Sequence, residues 1–188
     1  PDEALNYFER FARATYNKTQ LFSYLKASPY TLWLLAKLFG SSPFLSEILI
    51  RNPTYLYWIA DPGTLEKDLP KSTLVRELSA ALQALKTKEK KLEILCLFKR
   101  KELLRIGVRD LLKKSSVKET TAALSVLAET LIHKVYEICE ESLRDKYQAF
   151  NWHVIEVDGH NIEQFIDAVF EAKAIYEKPT LILAHVIP

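Results

Sequence analysis

Apolar residues recur along this chain at helical spacing for most of its length, and the period changes only near the end. From Asp2 to Thr15, Leu5, Phe8, Phe11 and Ala12 mark an amphipathic helix. Thr19 to Lys26 reads as a second, short one. Ser28-Pro29 starts a third and Gly40 stops it; Ser42-Pro43 and Asn52-Pro53 start two more, over Phe44 to Arg51 and Thr54 to Ile59. Asp61-Pro62-Gly63 reads as a turn, and Ser72 caps a helix through about Leu85.

Lys91 to Lys114 is the stretch around which the rest is organised. Its apolar side chains do not keep to one stripe: Leu92, Leu95, Cys96, Leu103 and Ile106 fall on one side, Leu97, Leu104, Val108 and Leu111 on another. A helix that is apolar on several sides is enclosed by its neighbours. Lys99, Arg100, Lys101, Arg105 and Arg109 interrupt the pattern, with stems that lie on apolar surface while their heads reach water or an acidic partner. The expectation is a central helix with basic seams, and Lys99, Arg100, Arg105 and Arg109 are the candidate partner-binding residues. Gly107, costly inside a helix by about 1 kcal/mol, marks the close approach of another helix.

Ser115-Ser116 breaks the pattern, and Ser116-Val117-Lys118-Glu119 has the form of a capping box. The helix it opens is the longest, with Leu124, Leu127, Leu131, Val135 and Ile138 on one face. His153 to Asp158 is then a short β-branched run, Asn161 to Tyr176 is helical with Ile162, Phe165, Ile166, Val169 and Phe170 on one face, and Thr180 to Ile187 is almost wholly apolar. Strand, helix and strand make a βαβ unit, whose parallel strands ask for a sheet covered on both faces. Nothing upstream supplies further strands, so exposed edges are expected, through which an oligomer completes the sheet. The fold class is mainly α: an irregular multi-helix bundle over residues 1–140 with a C-terminal βαβ appendage of two parallel strands over 141–188.

Composition narrows the function. Of 188 residues 48% are hydrophobic, enough for a sizeable core. With 4 glycines and no GxGxxG or GxxxxGK[ST], a glycine-rich phosphate loop is not expected. Cys96 and Cys139, far apart inside helical patterns, fit buried thiols of a reducing compartment better than a disulfide. The longest apolar run, Leu32 to Phe39, is interrupted by Lys37 and too short to span a bilayer. With no visible signal peptide, the expected location is cytoplasmic. Methionine is absent and the chain opens on Pro1, so a segment of something longer or a processed piece is expected.

A net charge of +2 hides an asymmetry: residues 86–118 carry 12 basic and 4 acidic side chains, residues 119–188 carry 5 and 12. That distribution fits a nucleic-acid patch. The basic residues are not interleaved with aromatics, which favours helices complementing one another, or a solvated face.

Two sets of residues carry family resemblances. Phe39-Gly40-Ser41-Ser42-Pro43-Phe44-Leu45, Leu49-Ile50-Arg51-Asn52-Pro53, Phe98-Lys99-Arg100-Lys101-Glu102-Leu103-Leu104-Arg105-Ile106, Arg109-Asp110-Leu111-Leu112 and Glu119-Thr120-Thr121 occur in order. Together they resemble the helical N-terminal region of glutamate-ammonia-ligase adenylyltransferases, which attach AMP to glutamine synthetase and remove it. The resemblance covers about residues 1–140 and implies ATP with Mg2+ as the parent's cofactors and glutamine synthetase as a partner. In that family the chemistry belongs to a downstream nucleotidyltransferase domain, where a Gly-Ser turn and a D-x-D pair hold metal ions and triphosphate. Here Gly40-Ser41 is followed by Ser42-Pro43 and no aspartate pair, so no catalytic residue carries over.

Trp152-His153-Val154-Ile155-Glu156-Val157-Asp158-Gly159-His160-Asn161, Ala172-Lys173-Ala174 and Lys178-Pro179-Thr180-Leu181-Ile182 are similar to transketolases, late in their cofactor domain. That resemblance implies thiamine diphosphate with Mg2+ for the parent, whose metal-binding motif is absent here. Asp158 and His160, at the carboxyl end of a strand, are the candidate cofactor-binding residues; the competing reading is a turn and helix cap. His153, Asp158 and His160 do not have a spacing that establishes a metal site. The two resemblances belong to unrelated families, so the simplest expectation is a chimera joined within residues 139–150.

Overall fold

The computed structural model describes residues 2–66 and 69–186. The chain divides into two units, Pro1–His133 and Lys134–Pro188, with the division inside one long helix.

The first unit is helical throughout its described residues. Helix α1 spans Asp2–Ala14, α2 Lys18–Ala27, α3 Pro29–Ser41, α4 Pro43–Arg51, α5 Tyr55–Ile59, α6 Pro62–Glu66, α7 Lys71–Gln83 and α8 Lys88–Leu111; α9, Val117–Ala149, begins in this unit. Prolines set the boundaries. Ser42 is held extended, at φ −145° and ψ 102°, ahead of Pro43. Its hydroxyl accepts the Leu45 N–H at 3.3 Å, capping α4. Gly40 does not stop α3: the helix runs one residue past it and ends where the Ser42-Pro43 pair must begin the next. The Asp61-Pro62-Gly63 turn opens the five-residue α6.

Phe11, Leu21, Leu34, Leu38, Phe39, Leu49, Leu56 and Leu65 form the core of this unit, joined by Leu104 and Val108 from α8. The enclosure predicted for α8 holds over its second half, where Leu104, Ile106 and Val108 are buried. Gly107 is the reason two helices can meet there. A Cβ on it would stand 2.7 Å from Leu45 Cδ2, well inside contact distance. At the other end of the contact the Tyr55 hydroxyl donates to the Leu97 carbonyl at 3.3 Å. Leu45 of α4 beside Gly107, and Tyr55 at the start of α5 beside Leu97, mean that the chain through α4 into α5 runs antiparallel to α8.

Helix α8 ends before the serines that were expected to break it. Lys113 adopts φ 54°, and Lys114 N–H donates to Arg109 O while Lys113 N–H donates to Asp110 O, both at 2.9 Å. This is a Schellman closure made without glycine. The capping box at the start of α9 is present: Glu119 N–H donates to Ser116 Oγ at 3.3 Å, and Ser116 N–H to Glu119 Oε2 at 2.7 Å. The Ser116 N–H and the Ser116 hydroxyl, both donating to Oε2, hold the Glu119 carboxyl below its usual range. Leu127 and Ile138 are buried, but Leu124 and Val135 on the same expected face are exposed.

The second unit contains the end of α9, β1 (His153–Asp158), α10 (Ile162–Ala174) and β2 (Thr180–His185). Asn151, at φ 62°, turns the chain out of α9 in the same way Lys113 does out of α8. The strands pair in parallel, His153 opposite Thr180 through Asp158 opposite His185, and make a two-stranded sheet. Ile187, expected at the end of β2, lies outside the described residues. Two strands cannot cover a helix. Of the apolar face predicted on α10, Ile162, Phe165, Ile166 and Phe170 are exposed, and the buried residue is Ala168.

A candidate binding groove in the helical unit

Antiparallel packing of α4 on α8 leaves a groove of about 380 Å³ beside the Gly107 contact. Helix α4 contributes Phe44, Glu47, Ile48 and Arg51, at helical spacing; α8 contributes Cys96, Lys99, Arg100 and Leu103. Because the helices run in opposite directions, the groove has two unlike ends. Phe44, Ile48 and Leu103 make one end apolar, and Phe44 is 61% exposed. Arg51, Lys99 and Arg100 make the other end basic. Glu47 does not balance them fully, since Arg10 Nη1 holds its Oε1 at 2.6 Å. The Arg10 hydrogen bond keeps the Glu47 carboxyl below its usual range. Burial pushes the Tyr55 phenol up at the foot of this end, against the opposing effect of the Arg100 charge.

The four predicted basic residues divide. Lys99 and Arg100 line the groove, while Arg105 and Arg109 are 2% and 5% exposed. Burial takes these two out of reach of an outside partner; of the two expected surroundings, water or an acidic partner, Arg105 has an acidic partner within its own helix. For Arg105 the buried partner is Glu102, 1% exposed, whose Oε2 accepts from Arg105 Nε at 2.8 Å. Glu102, Arg105 and Arg109 stand at i, i+3 and i+7 of α8, one buried charged stripe. Lys101 turns another way and lies 4.4 Å from the centre of the Trp58 ring. Sequence reasoning missed Arg51, Phe44 and Cys96 as neighbours of Lys99. Gly107 was the available signal that some helix lay close, but not which.

Asp158 and His160 form a turn and cap. Asp158 Oδ1 accepts the His160 N–H at 3.0 Å, the Asp158 carbonyl accepts from Asn161 N–H at 2.9 Å, and Asn161 Oδ1 caps α10 through the Gln164 N–H at 3.2 Å. The other histidines of this unit pair with carboxylates: His153 Nε2 lies 2.9 Å from Glu171, and His185 Nδ1 lies 2.5 Å from Glu140. Among the described residues no three of His, Cys, Asp or Glu converge as metal ligands. Cys96 and Cys139 are both exposed, not buried as expected. No helix among the described residues is long and apolar enough to cross a membrane.

What the groove can do chemically is hold an anionic group at one end and an apolar group at the other. The sequence model of the glutamate-ammonia ligase adenylyltransferase family matches residues 32–159, which include all of α4 and α8. Among curated proteins, the chain is 29% identical over 147 residues to a bifunctional glutamine synthetase adenylyltransferase/adenylyl-removing enzyme of Rhodopseudomonas palustris strain BisB5, covering 78% of this chain and 15% of that one. It is 31% identical over 141 residues to the enzyme of the same name from Bradyrhizobium sp. strain BTAi1, covering 75% and 14%. The corresponding Brucella suis protein is 29% identical over 146 residues, covering 78% and 15%. This chain therefore spans about a seventh of the length of these relatives. No solved structure matches. The family match passes through residues 139–150, where a junction was expected, and the comparisons with known proteins bring no evidence for the transketolase resemblance of the segment beyond. The chain belongs to the glutamate-ammonia ligase adenylyltransferase family.

Proposed function

We propose that this chain is a non-catalytic helical portion of an enzyme that transfers AMP to and from glutamine synthetase. The observation that carries the proposal is the family match over residues 32–159, which takes in the whole groove lining and most of the core of the helical unit, Phe11, Leu21 and Leu25 lying ahead of it. ATP with Mg2+ belongs to the parent's reaction, and glutamine synthetase is the expected partner of the parent. Gly40-Ser41 sits at the end of α3 and leads into the Ser42 cap of α4, so this Gly-Ser pair serves helix packing. Incubated with ATP, Mg2+ and glutamine synthetase, the chain is expected to leave the target unmodified. An AMP-labelled product would defeat the proposal.

The second unit has a separate reading, a βαβ piece of transketolase kind that binds no cofactor. What supports it is the parallel pairing of His153–Asp158 with Thr180–His185 around α10, together with the residues that carry the resemblance. Asp158 and His160 are already engaged in the turn, so calorimetric titration of the same preparation with thiamine diphosphate and Mg2+ is expected to give no saturable heat. Saturable heat would reject it.

A further inference from the structure

We infer that the α4–α8 groove is a docking site for an acidic amphipathic helix of a partner protein. The inference goes beyond the family reading and stands on the groove alone. Among the described residues, Lys99 and Arg100 are not tied to any carboxylate of the chain, and Arg51 adds a third positive charge at the same end. Glu47 is already engaged by Arg10. The basic end thus asks for carboxylates from outside. One turn further along α8, about 5.4 Å, the lining changes to Leu103, with Ile48 and the exposed Phe44 across from it. A ligand that satisfies both ends carries a carboxylate and a bulky apolar side chain one helical turn apart, the i, i+4 spacing of an amphipathic helix laid into a groove. A phosphate alone would leave the apolar end unfilled, and a lone aromatic gives no series of rings for stacked bases.

Cys96 makes the site directly readable, because it is exposed in the groove while Cys139 is exposed in the other unit. The probe is a synthetic alanine-based peptide of about 15 residues, long enough to be helical, with Glu and Leu at i, i+4. It is titrated into the full chain by fluorescence anisotropy, and iodoacetamide labelling of each cysteine is followed by mass spectrometry. Saturable binding is expected, weakening with salt, together with slowed labelling of Cys96 and unchanged labelling of Cys139. Lys99→Glu/Arg100→Glu should weaken binding about tenfold or more without changing the thermal unfolding curve, and should bind a peptide with Lys in place of Glu better than the unaltered chain does. Replacing the peptide's Leu by Ala should also weaken binding. Four outcomes would overturn the inference: no saturable binding, binding that leaves Cys96 unprotected, binding indifferent to the charge reversal, or displacement of the peptide by Mg-ATP. Concentration-dependent self-association abolished by the same charge reversal would also overturn it, by making a second copy of this chain the occupant.

Discussion

Replacing Glu102 by alanine tests whether the charged stripe inside α8 is a true buried network. Glu102 and Arg105 are 1% and 2% exposed, and their Oε2 and Nε atoms are 2.8 Å apart. Exposed ion pairs contribute about 0–1 kcal/mol. Here neither partner can be rehydrated when the other is removed, so Glu102→Ala leaves the Arg105 guanidinium buried without its carboxylate. The expected loss is about 3–5 kcal/mol, a large part of the roughly 5–15 kcal/mol that holds a domain together. Glu102→Leu/Arg105→Leu removes both charges, leaves Arg109 untouched, and should regain most of that loss. The assay is urea unfolding followed by tryptophan fluorescence in a Trp152→Phe background, since Trp33 and Trp58 then report only on the first unit. A Glu102→Ala loss below about 1 kcal/mol, or a double variant as unstable as the single one, would refute the reasoning, because either result means that the pair exchanges its partners for water.

Two further substitutions probe how α8 is seated and ended. Gly107→Ala gains helix propensity of about 1 kcal/mol but sets a methyl 2.7 Å from Leu45 Cδ2. Because Leu45 is itself buried, a net loss of about 1–2 kcal/mol is expected in the same urea assay. A more stable variant would show that α4 yields freely. Lys113→Gly, at φ 54°, should stabilise the first unit by about 1 kcal/mol, read as a higher urea midpoint with unchanged slope; a lower midpoint would show that the left-handed turn is not populated in solution.

The elements were legible in the sequence because caps and prolines act locally. Ser42-Pro43, the Ser116–Glu119 box and the Asn161 cap each fix a helix start through contacts within three residues. The βαβ unit was legible because the switch from helical period to a short β-branched run, and later to an almost wholly apolar one, is also local. The site was less legible, since Lys99, Arg100, Arg105 and Arg109 are alike as isolated residues and differ only in what packs over them. What distinguishes Arg105 is present in the sequence all the same: Glu102, three residues before it, is the carboxylate that lets a guanidinium remain inside. Lys99 has no acidic residue at that spacing, because position 96 is a cysteine. A basic residue on an apolar helix face is therefore better sorted by the sign of its neighbours at i−3 and i−4 than by its own identity. Arg109, with Arg105 at i−4 and Ile106 at i−3, shows where that rule stops: it is buried although neither of those positions is acidic, so the sign of its near neighbours does not encode its burial.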